Sequence, residues 1–146
     1  MGIDITFKSN LPEVLKKIND SAFERMDASV DVVRKTTLET LSGTRTGKTY
    51  RVPKTKRTYT ASAPGEPPAQ ATSGLRQSIK GTVSNEGKLV VGRVGTNLKY
   101  GARLEFGFME TDSLGRRYNM APRPWLRKSF EQSQAKVIEI CSRVWF

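Results

Sequence analysis

Hydrophobic and polar positions alternate with two different periods in the first forty residues. Ile3, Ile5 and Phe7 are separated by single polar residues, which predicts a short strand with one buried face. From Leu11 onward the apolar residues recur mostly at steps of three or four, which predicts a helix of about eight turns that ends at Gly43. Asn10 is its predicted N-terminal cap. One stripe should face inward, formed by Leu11, Leu15, Ile18, Ala22, Met26, Val30, Val33 and Leu41.

The segment from residue 43 to 74 breaks this pattern. It is rich in Gly, Pro, Thr, Ser and Ala, and it has few large apolar residues. The sequence predicts a basic extended loop at about residues 44–70, in which Tyr50, Val52 and Tyr59 are compatible with a hairpin arm. The loop's cations are Arg45, Lys48, Arg51, Lys54, Lys56 and Arg57, and no acid lies between Gly43 and Gly65.

The second half of the chain alternates short apolar runs with turn residues. Residues 75–79 predict one helical turn, and the apolar residues around Val83 and over 89–94 predict two strands joined by a turn at 85–87. Residues 100–106 fit a third strand or a short helix, and 107–120 predict a loop whose tip is 112–115. Pro124 opens a final helix. Its predicted buried side is Leu126, Phe130, Val137, Ile140, Cys141 and Val144.

Charge is unevenly placed along the 146 residues. The formal net charge is +11, of which residues 1–42 hold −1 and residues 43–146 hold +12. This asymmetry indicates a polyanionic neighbour, either nucleic acid or an acidic protein surface, although a positive surface that keeps the chain soluble explains it equally well. No apolar run approaches membrane-spanning length, so no membrane partner is expected.

Composition argues against several kinds of enzyme. The chain has no histidine, which removes the commonest general base and metal ligand, and its one cysteine, Cys141, is predicted to be a small core residue. The segment from Gly43 to Thr49 resembles a phosphate-binding loop, but three residues separate its glycines where four are needed. No enzymatic activity, metal or cofactor is expected.

Three acids near residue 108 invite a catalytic or metal-binding interpretation. Glu105, Glu110 and Asp112 are close in sequence, but two of them fall in the predicted loop, and pairing with Arg103 or a neighbouring arginine is favoured. Glu105 lies between Leu104 and Phe106, where an unpaired charge would be costly, so a cationic partner is expected.

The basic loop also contains two tyrosines. Cations interleaved with aromatic rings can bind single-stranded nucleic acid, and flexible basic loops can contact duplex phosphates. A solvated loop, or an arm that settles on an acidic protein partner, is the other interpretation.

The order of short motifs resembles a known family. Thr46-Gly47-Lys48-Thr49-Tyr50 follows the first helix, and then come 61–68 (ASAPGEPP), 72–79 (TSGLRQSI), 94–97 (VGTN), 104–107 (LEFG) and 121–126 (APRPWL). Over nearly the whole chain this order is similar to the neck, or tail-completion, proteins of long-tailed, lambdoid-type bacteriophages. Trp125 stands where the family pattern leads us to expect Phe, and Lys128 where Pro is common.

The resemblance implies a virion structural protein with an α+β fold: one domain over residues 1–146, with a small antiparallel sheet packed against a long N-terminal and a C-terminal helix. Six or twelve copies would form a ring between portal-side adaptor or head-closure proteins and the tail terminator or tail tube, around the genome channel. No catalytic residues come with the family. Candidate assembly or packing anchors are Tyr100, Leu104, Glu105, Phe106, Pro122, Pro124, Trp125, Leu126, Trp145 and Phe146.

Overall fold

The computed structural model describes residues 9–70 and 73–143. The strand predicted over residues 3–7 and the terminal aromatics Trp145 and Phe146 lie outside them. The elements are α1 (Leu11–Ser42), β1 (Thr49–Arg51), β2 (Thr58–Thr60), α2 (Gly74–Ser78), β3 (Lys80–Glu86), β4 (Leu89–Gly95), α3 (Lys99–Phe106), β5 (Phe108–Thr111), β6 (Arg117–Met120) and α4 (Leu126–Cys141). The predicted α+β fold is confirmed. Its strands form three separate antiparallel hairpins, β1–β2, β3–β4 and β5–β6.

Helix α1 is the longest element, with 32 residues. The predicted cap at Asn10 is wrong, because its side chain forms no capping hydrogen bond. The Ser9 hydroxyl instead accepts a hydrogen bond from the Leu11 amide at 3.3 Å. The helix ends one residue before Gly43, as the sequence indicates. Gly43 has an extended conformation with φ −64°, so a left-handed glycine does not terminate this helix.

The core lies along the C-terminal half of α1. That half packs against α4 and against the β3–β4 hairpin. Its buried apolar residues are Val30, Val33 and Leu41, while Leu11 is 60% and Leu15 56% exposed. The predicted inward stripe is therefore correct for the second half of the helix and wrong for the first turns. Outside α1, the large apolar side chains that are buried in the described ranges are Leu75, Ile79, Trp125 and Ile140.

Small hydroxyl residues line the contact between α1 and α4. Ser29 and Thr37 of α1 and Ser129 and Ser133 of α4 are buried, and each hydroxyl donates to a carbonyl of its own helix. A buried hydroxyl that is satisfied in this way costs little, and its small volume allows the helices to approach closely.

The buried side predicted for α4 is correct for Ile140 and wrong for Phe130 and Cys141. Phe130 is 52% exposed, and the Cys141 side chain is also exposed. The burial of Ser129 and Ser133 places Phe130 outside the contact. Val137 is half-buried.

The β3–β4 hairpin lies directly on α1. Its two-residue connection is Gly87-Lys88, slightly later in the chain than the predicted turn, because Glu86 already pairs with Leu89. A Cβ atom at Gly92 would lie 2.5 Å from Val30 Cγ2, so only glycine permits this approach of sheet to helix.

Candidate functional site

The LEFG motif (104–107) and the APRPWL motif (121–126) meet at the start of α4. The Glu105 carboxylate, at the end of α3, accepts hydrogen bonds from the backbone amides of Trp125 (2.8 Å), Leu126 (2.9 Å) and Arg127 (3.0 Å). These are the first amides of α4, which have no partner within the helix. The expected cationic partner is wrong: Glu105 caps a helix N-terminus, where a negative charge is stabilised by the amide dipoles.

Trp125 is buried where the end of α3 meets the start of α4. It is 2% exposed, and its indole N–H donates to the carbonyl of Gly101 at 3.2 Å. A Cβ atom at Gly101 would lie 2.6 Å from the Thr96 methyl and 3.6 Å from the Trp125 ring. Trp125 is therefore a packing anchor within its own chain.

Arg123 joins the same motif to the middle of the chain. Its amide donates to the Leu104 carbonyl at 2.8 Å, and its guanidinium donates to the Ser62 hydroxyl at 2.7 Å. The carbonyl of Pro122 accepts from the Gly65 amide at 3.1 Å. These contacts fasten the 62–65 segment to the start of α4, which the sequence did not indicate.

Gly107 turns the chain sharply out of α3. Its φ is +71°, and a Cβ atom there would lie 2.5 Å from the Met120 carbonyl oxygen and 2.9 Å from the Pro122 nitrogen. Both the backbone conformation and the space exclude a larger residue. The glycine of the LEFG motif thus links α3, the β5–β6 hairpin and the APRPW segment.

Residues 107–120 form the β5–β6 hairpin, so the predicted loop is wrong, while its tip is confirmed. The Asp112 carboxylate accepts from the amides of Leu114 and Arg116 (each 2.9 Å) and from the Arg116 guanidinium at 2.7 Å. The backbone bond from Arg116 is the leading cause that lowers the pKa of Asp112. Glu110 pairs with Arg103 at 3.2 Å. The predicted pairing of Glu110 and Asp112 with arginines is thus confirmed. The same hairpin leaves Met109 81% and Leu114 74% exposed.

The predicted hairpin arm is also present. The basic arm, defined here as residues 48–60, contains β1 and β2 with Thr49 opposite Thr60 and Tyr50 opposite Tyr59. The two tyrosine rings lie 6.0 Å apart with an interplanar angle of 33°. The arm carries Lys48, Arg51, Lys54, Lys56 and Arg57, all exposed, and none forms an ion pair with any residue that the structure describes.

Glu66 fixes the root of the basic arm. Its carboxylate accepts from the Thr46 hydroxyl (2.7 Å), the Thr46 amide (3.2 Å) and the Ala63 amide (2.9 Å). The hydroxyl bond is the leading cause that lowers the pKa of Glu66. Sequence reasoning missed this residue, although it is the only acid between Glu39 and Glu86.

Arg45 differs from the other five cations. Its guanidinium donates to the carbonyls of Thr40 (2.8 Å) and Leu41 (3.3 Å) in the last turn of α1, and to that of Pro68 (3.2 Å). Burial lowers its pKa. A cation at a helix C-terminus satisfies free carbonyls and complements the dipole. Its donors are thus occupied within the chain, whereas in the basic arm the one such bond runs from Arg51 Nε to the Thr55 carbonyl at 3.1 Å, among the residues that the structure describes.

An open apolar groove lies between α1, β4, α3 and α4. It has a volume of about 780 Å³. Among the predicted anchors, Phe106, Leu126 and Trp125 line it, and Phe106 is 72% exposed at its edge. Tyr100 is 43% exposed, and Leu104 packs beside the core. Sequence reasoning missed the groove. Its other apolar lining residues include Met26, Val30, Val33, Val94, Phe130 and Val137, and the charged residues Arg93, Glu105 and Arg127 also line it.

Among residues 9–70 and 73–143, no group of three or more acidic or cysteine side chains is placed to hold a metal ion. No helix in the same ranges combines the length and apolarity needed to cross a bilayer. No protein-family model, curated protein or solved structure matches this chain.

Proposed function

We propose that this chain is a structural protein of the head-to-tail neck of a long-tailed bacteriophage. Several copies form a ring that joins portal-side adaptor or head-closure proteins to the tail terminator or tail tube and surrounds the DNA channel. The chain acts by assembly in the virion, after synthesis in the host cytoplasm, and carries out no chemical reaction.

The observation that carries the proposal is the amount of apolar surface left outside a small core. Phe106, Met109 and Leu114 are each more than 70% exposed, and the apolar groove lies open beside Phe106. Several large exposed apolar side chains and an open apolar groove are typical of interaction sites. The motif order described above gives the kind of assembly, a neck ring.

The shape of the fold is suited to a ring. A closed ring needs two different complementary faces on each subunit. The body formed by α1, α4 and β3–β4 offers the groove as one face. The β1–β2 and β5–β6 hairpins lie outside the main packing of that body and offer projecting surfaces.

The test is genetic and structural. In a phage that encodes the chain, a nonsense mutation in its gene should give DNA-filled heads separated from tails in negative-stain images. The same strain grown in a suppressor host is the control, and it should give joined particles. A particle mass count of six or twelve copies is expected. A normal yield of joined particles without the protein refutes the proposal.

A small nucleic-acid-binding protein is the second candidate, because the basic arm holds five solvent-facing cations beside two tyrosine rings. This function predicts DNA binding whose logarithmic affinity falls steeply with salt. Replacing Arg51, Lys54 and Arg57 by Ser should reduce both the affinity and the salt slope. An unchanged affinity would exclude the arm as a DNA-binding surface.

A further inference from the structure

Helix α1 carries an acidic face that nothing in the described chain covers. Asp20, Glu24, Asp27 and Asp31 follow one another at steps of four, three and four residues, which places them on one side of the helix. All four are exposed, and none forms an ion pair with a described residue. These four residues are called the acidic face.

Bases flank both ends of the acidic face without forming an ion pair with it: Lys16 and Lys17 lie one turn before Asp20, and Arg34 and Lys35 lie one turn after Asp31. The one base between Ile18 and Val33 is Arg25, whose guanidinium donates to backbone carbonyls of Cys141 and Arg143 at the end of α4. The buried stripe of α1, with Val30 and Val33, points elsewhere. Between these flanking bases the four exposed acids form a negative stripe on the outside of the body.

The same chain carries a matching positive surface. The basic arm has five unpaired cations and no acid, and the arm is held at its root by Glu66 and by the backbone bonds between Gly47 and Ala61 and between Ala61 and Lys48. A Cβ atom at Gly47 would lie 2.5 Å from the Ala61 carbonyl oxygen, so the root is closely packed. These contacts hold the arm in one orientation at its root.

The two surfaces also match in length. Eleven residues separate Asp20 from Asp31, which is about 17 Å along a helix. The arm is paired in extended form from Lys48 to Val52, about 13 Å, and turns at residues 53–56, so the two lengths are comparable. Both surfaces include an exposed aromatic ring: Phe23, 36% exposed, lies between Asp20 and Asp27, and Tyr50 is 49% exposed on the arm.

We propose that the basic arm of one copy docks on the acidic face of α1 of the next copy. The contact is heterologous, because the two surfaces differ, so repeating it around an axis closes a ring. Complementary charge sets partner choice and orientation, and the tyrosine and phenylalanine rings supply the apolar contact at its centre. This inference rests on the proposed ring, and it names which surfaces of neighbouring copies meet.

The experiment uses two charge-reversal variants of the full chain. The arm variant is Lys54→Glu, Lys56→Glu, Arg57→Glu, and the face variant is Asp20→Lys, Glu24→Lys, Asp27→Lys. Each should be folded by circular dichroism, because every substituted side chain is exposed. Each alone should lose self-association by roughly tenfold or more in sedimentation at low salt.

An equimolar mixture of the two variants should assemble again. The negative arm of the arm variant then meets the positive face of the face variant. The unmodified positive arm of the face variant meets the unmodified acidic face of the arm variant. The two variants therefore alternate around a ring with an even number of copies. A control variant with the same change in net charge as the arm variant is Lys99→Glu, Arg117→Glu, Lys128→Glu. These residues are exposed and outside both surfaces, so this variant should associate like the unmodified chain.

Three results would overturn the inference: single variants that assemble like the unmodified chain, a mixture that does not recover, or an unmodified chain that stays monomeric at low salt. In the first case rings still form, so the proposed neck function stands while the contact is wrong. An arm variant that loses DNA binding but keeps its assembly assigns the arm to DNA and also overturns the inference. The particle experiment above judges the neck function independently of all these outcomes.

Discussion

Replacing Glu105 by alanine removes the carboxylate that accepts from the first three amides of α4. The substitution leaves those amides without their acceptor and removes the negative charge at the helix N-terminus. It also removes one of the contacts between α3 and the start of α4, while the bonds from the Trp125 indole to Gly101 and from the Arg123 amide to Leu104 remain. Trp125, whose own amide is one of the three donors, is the buried residue closest to the change.

The expected cost is about 2 kcal/mol in the free energy of unfolding. Loss of a helix cap costs about 1 kcal/mol, and loss of a charge that complements the dipole costs about 0.5–1 kcal/mol more. Glu105 is half-buried, so water replaces the lost acceptor incompletely. For a chain of this size the cost corresponds to a fall in Tm of about 4–8 °C.

Urea unfolding followed by tryptophan fluorescence measures this cost, in a Trp145→Phe background so that the signal comes from Trp125. The matched control is Glu110→Ala, which removes an exposed pair with Arg103 and should cost no more than about 0.5 kcal/mol. Glu105→Gln keeps an oxygen acceptor without the charge and should give an intermediate loss. If Glu105→Ala unfolds at the same urea concentration as Glu110→Ala, the capping role derived from the structure is refuted.

Three further predictions concern the joints of the fold. Gly107→Ala should lower the free energy of unfolding in urea by about 2–4 kcal/mol, because the new Cβ combines a positive φ with overlap of the Met120 carbonyl. Gly115 has φ +76° but open space around it, so Gly115→Ala should cost only about 1 kcal/mol. Equal costs for the two substitutions would contradict this. Arg45→Met should lower the free energy of unfolding by about 1–2 kcal/mol in the same assay, because carbonyls of the last turn of α1 lose a hydrogen-bond donor. Arg57→Met should change it by less than about 0.5 kcal/mol. The opposite ranking would refute the role of Arg45 as the C-terminal cap of α1. The pKa of Glu66 is lowered in the folded chain, so the stabilisation that its carboxylate gives the arm's root is fully present above the ordinary carboxyl pKa of 4.5 and is lost as pH falls through the lower folded pKa. NMR resonances of residues at the root should therefore shift over that acid range in the native chain. They should stay unchanged in Glu66→Gln.

Prediction from sequence was most successful where local chemistry decides the structure. The steps of three and four along α1 fix a helical period, and the apolar residues on both sides of Gly87 fix a hairpin, because each pattern has one backbone geometry that gathers its apolar groups. The tip at residues 112–115 followed from its turn residues. The predicted basic loop is visible as six cations without an acid, and Tyr50, Val52 and Tyr59 indicate the hairpin within it.

Prediction failed where a side chain's role depends on a distant backbone group. Glu105 was expected to need a cation, because sequence shows neighbouring charges but not the free amides of a helix that begins twenty residues later. Phe130 was placed in the core and Ser129 was not. Hydrophobicity favours phenylalanine, whereas close approach of two helices favours a small hydroxyl residue that bonds its own backbone.

By itself the sequence determined the helical and extended segments, the uneven charge and the lack of histidine, because these follow from residue type and spacing along the chain. Only the tertiary structure decided that the LEFG and APRPW motifs form one internal joint, that Arg45 belongs to the end of α1 and that an apolar groove stays open. Each of these depends on which backbone amides and carbonyls are brought within about 3 Å of a side chain. That proximity is set by the packing of α1, α4 and β3–β4 as a whole, and no local pattern records it.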